Sequence, residues 1–516
     1  MRAPRFVVKS LRIAFLFCWC LLPCRLLRAE VRLPHVLSDH AVLQRDRPIH
    51  LWGWATPGAH LTARFHAQTV PAQTDALGAF SLWLAPETAG GPYTLTISGD
   101  GPDVTLSDLL VGDVWFASGQ SNMEMPLQGF PGNAVLKDGD REIAAATNPK
   151  LRLLLVDHKS ADSPMNDVPD TWTVCTPATA ATFSAVAYFF GREIAAKENV
   201  PVGLIDSTWG GTPADSWVSM DTLGNHPDLL PAFGSRARFA DEQTDLKAQI
   251  AAEKAEDDAA RAAGKPLPQH PWHPDESSWL PAGLYNGMIA PFTPMSLRGF
   301  LWYQGETNSA LDRAPYYATL FSALIRDWRM QFAQGNLPFF FVQISSFHSP
   351  GEDWGKVRDA QRRTLQLTNT AMAVTLDIGT PDNVHPPDKQ TVGHRLALAA
   401  RHITYGEDVP WASPLFRQAT SELQPDGSSA LRVWFDHAHG LTARGQPIDA
   451  FEVAGEDRHF VPAQARIDGE TVLVSATAVP RPVYVRYGWM GVVTNNLFNV
   501  AGLPASTFTS ETWPAD

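Results

Sequence analysis

The chain has 516 residues, more than one ordinary hydrophobic core accommodates, so its length predicts two to four domains. Hydrophobic residues make up 44% and charged residues 18% of the chain, as is typical of a globular protein. The formal net charge is -13, and removal of residues 1–29, which carry six basic and no acidic residues, would make it -19. So acidic a chain argues against nucleic acid and against an anionic membrane surface as partners.

The first 29 residues have the pattern of a signal peptide. Basic residues precede a short apolar run from Ile13 to Leu22, which is too short to span a bilayer as a helix. We expect cleavage after Ala29, export to the periplasm or the exterior, and no membrane contact in the mature form. Cys175 is the only cysteine outside residues 1–29, and we expect it to be buried and structural, with no internal disulfide in the mature chain.

Residues 30–107 are typical of a small domain of short β-strands. Segments such as Ile49-His-Leu-Trp-Gly-Trp and Tyr93-Thr-Leu-Thr-Ile-Ser lie between turns rich in Pro and Gly, which favours a β-sandwich-like module. Strand patterns return over residues 411–516, for example at Leu431-Arg-Val-Trp-Phe. We therefore predict accessory β-regions at both ends of the chain.

Residues 108–410 alternate between apolar strands and amphipathic helices. The predicted strands are Asp113–Ser118, Leu151–Val156, Val202–Asp206, Gly299–Tyr303, Phe339–Ile344 and Ala371–Asp377. The predicted helices are Ala178–Glu198, Pro315–Phe332, Val357–Leu367 and one that begins near Lys389. This alternation predicts an α/β domain with a mostly parallel sheet and helices on both faces.

Residues 236–280 interrupt this alternation. The stretch Asp241–Ala263 is rich in Ala and charge, which favours a helix, and a Pro-rich loop follows it. We expect an inserted helix and loop on the solvated surface, with a lid near the active site as the alternative.

Ser121 is the candidate nucleophile. It lies in Gly119-Gln-Ser-Asn-Met, directly after the strand Asp113–Ser118, and open α/β sheets bind their ligands at the carboxyl ends of strands. The motif is not a Gly-x-Ser-x-Gly elbow, because Met123 replaces the second Gly. By itself the segment also fits an ordinary Ser that caps a helix.

His385 is the candidate base. It lies in Asp382-Asn-Val-His-Pro, on a loop that follows the strand ending at Asp377. A neutral imidazole can take the proton of a Ser hydroxyl and return it to the leaving alcohol. Asp382 is the simplest carboxylate to orient the ring, and a loop Asp and His without a joint role is the alternative.

Two further segments at strand ends could hold an oxyanion. Gly210 and Gly211 follow the strand Val202–Asp206 and could present backbone N–H groups, although a Gly pair is otherwise just a turn. Gln304 follows the strand Gly299–Tyr303 and has an amide N–H to donate. A Ser, a base and oxyanion donors at one sheet edge together indicate acyl transfer to water.

Four segments carry a family resemblance. Gly119-Gln-Ser-Asn-Met-Glu-Met, Trp209-Gly-Gly-Thr, Trp302-Tyr-Gln-Gly-Glu and Asp382-Asn-Val-His-Pro resemble the sialate O-acetylesterase family, which falls in the SGNH hydrolases and is related to acetylxylan esterases. The resemblance implies a flavodoxin-like SGNH sheet and the removal of O-acetyl groups from carbohydrate, with no metal or organic cofactor required.

The resemblance also implies roles for particular residues. Ser121 is then the nucleophile and an oxyanion donor, Gly211 or Gly210 a second donor, and His385 the base. Gln304 stands where SGNH enzymes commonly have an Asn. The orienting carboxylate is Asp382, with Asp377, Asp388 or a two-residue Ser–His site as alternatives.

The substrate is less defined than the chemistry. Residues beside the motifs are candidate substrate contacts, and they are Gln120, Asn122, Glu306 and Arg298. The acetylated sugar could be sialic acid or a plant-type glycan, and the sequence leaves the oligomeric state open. Two other functions also remain: a non-catalytic carbohydrate-binding protein, and an SGNH esterase or lipase for other short-chain esters.

Overall fold

A computed structural model describes residues 30–99, 101–268, 270, 273–425, 427–494 and 496–512. The predicted signal peptide lies outside the described residues. Within the described ranges, no helix combines the length and the apolar character needed to cross a bilayer.

The N-terminal region consists of short strands that join the rest of the molecule through one long strand. The short strands are β1 (Val42–Gln44), β2 (Ile49–Trp54), β3 (His60–Phe65), β4 (Gln68–Gln73), β5 (Ala79–Leu84) and β6 (Gly90–Ser98). The long strand β7 (Val104–Gly119) pairs with β6 and β1 along its first half and enters the central sheet with its second half. The predicted limit at residue 107 therefore falls inside a continuous strand.

The central region alternates strands and helices, as predicted. In chain order its elements are α1 (Ser121–Glu124), α2 (Gly139–Ala145), β8 (Asn148–Leu155), β9 (Thr173–Cys175), α3 (Pro177–Ala181), α4 (Ala185–Glu198), β10 (Val202–Thr208), α5 (Met220–Asn225), α6 (Pro231–Ala262), β11 (Gly299–Tyr303), α7 (Tyr317–Phe332), β12 (Phe339–Gln343), α8 (Trp354–Thr364), β13 (Thr370–Val374) and α9 (Lys389–Ile403). Short 3₁₀ and π turns link several of them.

The central sheet has the strand order β13-β12-β11-β7-β10-β8-β9. Its pairs are parallel except for the antiparallel edge strand β9. Every residue of β11, β12 and β13 is buried, as expected for a sheet that helices cover on both faces. The predicted α/β fold class is confirmed.

Two neighbouring residues of β7 show how the helices cover the sheet. Trp115 packs edge-on against Phe190 of α4, with 5.0 Å between the ring centroids. Phe116 packs edge-on against Trp328 of α7 at 6.0 Å. Because successive side chains of a strand point to opposite faces, α4 and α7 lie on opposite sides of the sheet.

The single helix predicted over Ala178–Glu198 is wrong, because the chain breaks between α3 and α4. Ser184 caps α4: its Oγ accepts a hydrogen bond from the N–H of Ala187 at 3.2 Å and donates one to the carbonyl of Met123 at 2.5 Å. The N–H of Ser184 donates to Asp206 at 2.9 Å. The break thus ties the start of α4 to the segment after Ser121.

The C-terminal region forms two antiparallel sheets around a core of its own. Its strands are β14 (Leu415–Leu423), β15 (Ser429–Asp436), β16 (Phe451–Ala454), β17 (Val461–Pro462), β18 (Gln464–Asp468), β19 (Thr471–Ser475), β20 (Tyr484–Tyr487) and β21 (Phe508–Thr509). The strand orders are β14-β15-β19-β18 and β17-β16-β20-β21. Buried Arg358 of α8 joins this region to the central one, since its guanidinium donates to the carbonyls of Met490 at 2.8 Å and Gly491 at 2.9 Å.

Candidate active site

Ser121 and His385 meet at the carboxyl end of the central sheet. The Oγ of Ser121 lies 2.8 Å from the Nε2 of His385, a hydrogen-bond distance. Ser121 begins α1 directly after β7, whereas His385 lies on the loop between β13 and α9. Since β11 and β12 separate β7 from β13, this loop reaches across two strands to bring the ring to the Ser.

The turn before Ser121 depends on a glycine. Gly119 ends β7 with φ +137°, a conformation that favours Gly, and a Cβ there would lie 2.1 Å from the carbonyl oxygen of Tyr303. The neighbouring strand therefore approaches the backbone closely at this point, and the chain turns sharply enough to place Ser121 at the sheet edge.

The environment of His385 keeps the imidazole neutral. Burial, and secondarily the nearby ammonium of Lys389, lower the pKa of His385 to about 4. Phe130 packs edge-on against the ring, with 5.2 Å between centroids. A neutral ring hydrogen-bonded to a hydroxyl can act as a general base at neutral pH.

The predicted hydrogen bond from Asp382 to His385 is wrong. The Nδ1 of His385 is buried and has no hydrogen-bond partner within the described residues, and Asp382 is exposed. The physical reason is local, because the Oδ1 of Asn383 accepts the N–H of His385 at 2.8 Å and so fixes the turn with Asp382 toward solvent.

The two alternative carboxylates are engaged elsewhere. Asp377 makes a bidentate ion pair with Arg395, with both contacts at 2.7 Å. Asp388 caps α9 by accepting the N–H of Thr391 at 3.0 Å. The described structure therefore has the geometry of a two-residue Ser–His site.

The Gly210–Gly211 turn lies against Ser121. A Cβ on Gly210 would lie 3.2 Å from the Cβ of Ser121 and 2.8 Å from Oε2 of Glu124, and Gly211 has φ +71°. Among the described residues, no hydrogen-bond acceptor occupies the backbone N–H of Ser121, Gly210 or Gly211. These N–H groups are therefore available as hydrogen-bond donors, and the oxyanion role of the Gly pair stays a prediction.

Gln304 does not offer the free amide that we predicted. Its Nε2 donates to the carbonyl of Thr212 at 3.2 Å and to Oδ1 of Asn308 at 2.6 Å, so both of its N–H bonds are used. Gln304 thus braces the segment that follows the Gly pair, and its prediction as an oxyanion donor is wrong.

Asn308, which our sequence analysis missed, lies next to Gln304 and has an amide nitrogen without an acceptor among the described residues. Its Oδ1 also accepts the N–H of Ala214 at 2.9 Å, while its Nδ2 is buried without an acceptor in the described part of the chain. The sequence could have indicated Asn308 by its position, because it lies four residues after Gln304 on the same turn.

Three of the four predicted substrate contacts are buried, and the fourth lies at the amino end of a strand. Gln120 is buried, and its Oε1 accepts the N–H of Thr307 at 3.2 Å. Asn122 and Glu306 are buried against each other. Arg298 lies at the amino end of β11, 2.6 Å from the carboxylate of Asp113.

The position of Arg298 excludes it from the site. Asp113 and Gly119 are six residues apart along β7, which corresponds to about 20 Å in an extended strand. Arg298 therefore neutralises a buried carboxylate at the opposite end of the sheet from Ser121.

A cavity of about 290 Å³ shares Phe130, whose ring packs against His385, and is otherwise lined by residues that our sequence analysis did not single out. Its walls are formed by Glu124, Pro126, Phe130, Leu155, Val156, Asp157, His158, Thr182 and Thr208. His158 stacks on Trp209 at 4.4 Å between ring centroids, and its Nε2 lies 3.1 Å from Oε1 of Glu124. The cavity combines aromatic faces with carboxylates, which suits a sugar ring.

The inserted segment touches the site as well. Trp279 donates from its indole N–H to the carbonyl of Gly211 at 3.0 Å and stacks on Phe239 of α6 at 4.0 Å. No described side chain over residues 246–268 is buried, which agrees with the expected surface insertion, whereas Trp279 near its end contacts the Gly210–Gly211 turn.

The fold and the site together define an ester hydrolase of the SGNH type. A parallel sheet presents a Ser after one strand, a His on a loop after another, and open N–H groups after a third. Accessory β-regions flank this sheet on both sides in the chain.

Comparisons with known proteins agree with this class. Residues 262–402 match the family model described as "Carbohydrate esterase, sialic acid-specific acetylesterase". A sialate O-acetylesterase of Rattus norvegicus is 31% identical, with 73% of this chain and 74% of that protein covered. A sialate O-acetylesterase of Mus musculus is 29% identical, with 89% of each chain covered.

A solved structure is also similar over nearly the whole length. It is a carbohydrate acetylesterase from Xanthomonas citri, 36% identical with a TM-score of 0.80, and the match covers 94% of this chain and 100% of that one. The chain belongs to the sialate O-acetylesterase family and is a carbohydrate acetylesterase.

Proposed function

We propose that the protein removes O-acetyl groups from carbohydrate through an acetyl-Ser121 intermediate. The observation that carries this proposal is the 2.8 Å contact between Oγ of Ser121 and Nε2 of His385. As Oγ attacks the acetyl carbonyl, Nε2 takes its proton. The bond from the carbonyl carbon to the sugar oxygen then breaks, and the ring returns the proton to that oxygen. His385 then takes a proton from water as the water attacks the acetyl-enzyme, the bond from the carbonyl carbon to Oγ of Ser121 breaks, and the ring returns the proton to Oγ as acetate leaves.

The charge that develops on the carbonyl oxygen needs donors that are free beforehand. We assign the backbone N–H groups of Ser121, Gly210 and Gly211 to this task, together with Nδ2 of Asn308 in place of Gln304. Their support is that the described residues leave them without acceptors. Removal of one such donor typically costs about 10²- to 10³-fold in kcat.

The cavity that includes Phe130, the ring packed against His385, favours a neutral sugar over a sialate. Two carboxylates, Glu124 and Asp157, lie on its wall, and they would repel the carboxylate of a sialic acid. Arg298, the one cation among the candidate substrate contacts, lies at the far end of the sheet. The proposed substrate is therefore an acetylated neutral glycan, such as a xylan fragment, with acetylated sialic acid as the competing possibility that the relatives' names raise.

The test combines one variant with a substrate screen. Ser121→Ala should abolish acetate release while the melting temperature stays near that of the wild type. Acetate release is then measured on acetylated xylan, pectin and sialic acids; a higher kcat/KM on xylan supports the neutral-sugar assignment, and a higher value on sialic acids contradicts it. Activity of Ser121→Ala at the wild-type level would show that the nucleophile is assigned wrongly.

A short-chain esterase of broader range is the second candidate. Octanoyl esters compared with acetyl esters of the same alcohol separate the two, because an O-acetylesterase should lose most of its kcat/KM on the longer chain. Export remains part of the proposal on the basis of the sequence pattern in residues 1–29, and N-terminal sequencing of protein recovered from the periplasm or medium tests it.

A further inference from the structure

The base of this site lacks the usual means of orientation. In a Ser-His-Asp triad, a carboxylate bonded to Nδ1 holds the ring in one tautomer and one position. Here Nδ1 of His385 is buried and has no partner among the residues that the structure describes. Some other contact must fix the base relative to the nucleophile.

The side chain of Asn122 joins the two segments that carry the pair. Asn122 follows Ser121 in the chain and is completely buried. Its Nδ2 donates to the carbonyl oxygen of Val384 at 2.9 Å, and Val384 directly precedes His385. One side-chain amide thus links the residue after the nucleophile to the residue before the base.

The orientation of this amide is fixed by an acceptor at its nitrogen and a donor at its oxygen. Nδ2 of Asn122 also donates to Oε1 of Glu306 at 2.5 Å, and Nζ of Lys389 donates to Oδ1 of Asn122. Both N–H bonds and the carbonyl oxygen are therefore satisfied. A flipped amide would point its nitrogen at an ammonium and its oxygen at a carboxylate, so only one orientation is compatible with the site.

We propose that Asn122, which is held between buried Lys389 and Glu306, is the positioning residue of the Ser–His pair. Through the backbone of Val384 it fixes the position of the His385 ring, a task that a carboxylate bonded to Nδ1 performs in a triad. This inference rests on the proposed Ser121–His385 function. It gives a role to two buried polar side chains, Asn122 and Glu306, that lie close in the chain to the motif residues Ser121 and Gln304.

A two-variant design separates positioning from mere stability. Asn122→Asp removes both N–H donors and places a carboxylate against Glu306, so the protein should lose stability and activity together. In Asn122→Asp/Glu306→Gln, the new amide can donate to the new carboxylate and Lys389 keeps an acceptor, but the bond to Val384 remains lost. We expect the melting temperature to recover toward the wild-type value while kcat stays at least about tenfold low and KM changes little.

Asn499 supplies a matched control. It is buried in the C-terminal region, its Nδ2 donates to the carbonyls of Ala412 at 3.0 Å and His437 at 3.2 Å, and its Oδ1 accepts the N–H of Leu503. Asn499→Asp should lower the melting temperature without lowering kcat below the melting transition. Recovery of kcat together with the melting temperature in the double variant would overturn the proposal.

Two further outcomes are decisive. Should the double variant not fold, Asn122→Ala is measured well below its melting transition, with active sites counted by a serine-reactive phosphonate. A kcat per labelled site equal to that of the wild type would overturn the positioning role. Since Ser121→Ala tests the underlying chemistry separately, an inactive Ser121→Ala together with a fully active Asn122→Ala would refute the positioning role alone.

Discussion

The pH dependence of kcat/KM tests the environment of His385. A free histidine with a pKa of about 6.5 would be only about 3% neutral at pH 5. Burial and Lys389 lower the pKa of His385 to about 4, so about nine tenths of the ring should be neutral at pH 5. Because the base acts in its neutral form, activity should persist to pH 5 and fall only as the pH drops through about 4.

Substitution of Lys389 tests how far its charge lowers the pKa of His385. Burial lowers the pKa of this ammonium to about 7, so it is charged in the range where the ring titrates. The other charged groups near this network are Glu306 and Asp388, which act on Lys389, and Arg358, which acts on Glu306. Lys389→Met removes the cation and should move the acid limb of kcat/KM upward, toward the value of a free histidine, without reaching it because burial remains.

The assay measures acetate released from acetylated oligosaccharide between pH 3.5 and 8, with kcat/KM fitted to one ionisation on the acid side. A portion returned from each pH to neutrality must recover full activity, so that unfolding is not mistaken for titration. An acid limb near pH 6.5 in the wild type, or an acid limb that moves downward in Lys389→Met, would show that burial and Lys389 do not lower the pKa of His385.

Further variants test single contacts of the site. Asp382→Asn should leave kcat within about twofold, since this carboxylate does not touch the ring, and a fall of several hundredfold in steady-state assays would restore it as the orienting group. Gly210→Ala places a methyl group 3.2 Å from the Cβ of Ser121 and should reduce kcat about 10²-fold, as measured on the folded variant; unchanged kcat would exclude a close approach there. Asn308→Ala should reduce kcat by a similar factor with little change in KM, and wild-type turnover would remove its Nδ2 from the oxyanion site. Trp279→Ala removes the hydrogen bond to Gly211 and should lower kcat/KM several-fold, which a comparison of acetate release rates detects.

The sheet and the Ser–His pair could be predicted because they follow from the alternation of apolar strands and helices along the chain. Strands such as β11 were readable as short apolar runs, and Gly299–Tyr303 is bounded in the structure as predicted. Parallel strands bring their carboxyl ends to one edge, so Ser121 and His385 could be placed together without knowing any side-chain contact.

The direction of individual side chains could not be read in the same way. Asp382 and Asn383 are adjacent polar residues on one loop, and the hydrogen bond from His385 N–H to Asn383 decides which of them turns inward. Gln304 and Asn308 are both amides on one turn, and the position of Thr212 decides which amide is consumed. Such choices depend on partners that are distant in the chain.

The break in the predicted helix Ala178–Glu198 has a similar cause. Helix propensity runs on through the segment, but Ser184 finds partners in Met123 and Asp206, which belong to other elements. Trp279 likewise lies in a stretch without periodicity and acquires its role only by meeting Gly211. Tertiary contacts therefore decided the parts of the site that local pattern could not.

Trapping the covalent intermediate tests directly whether Ser121 is the nucleophile. The enzyme is mixed with an acetylated substrate, quenched in acid within one turnover, digested and analysed by peptide mass spectrometry. We expect one acetyl group on the peptide that contains Ser121, absent from Ser121→Ala and from enzyme without substrate. An acetyl group on a different residue, or turnover by Ser121→Ala at the wild-type rate, would contradict this expectation.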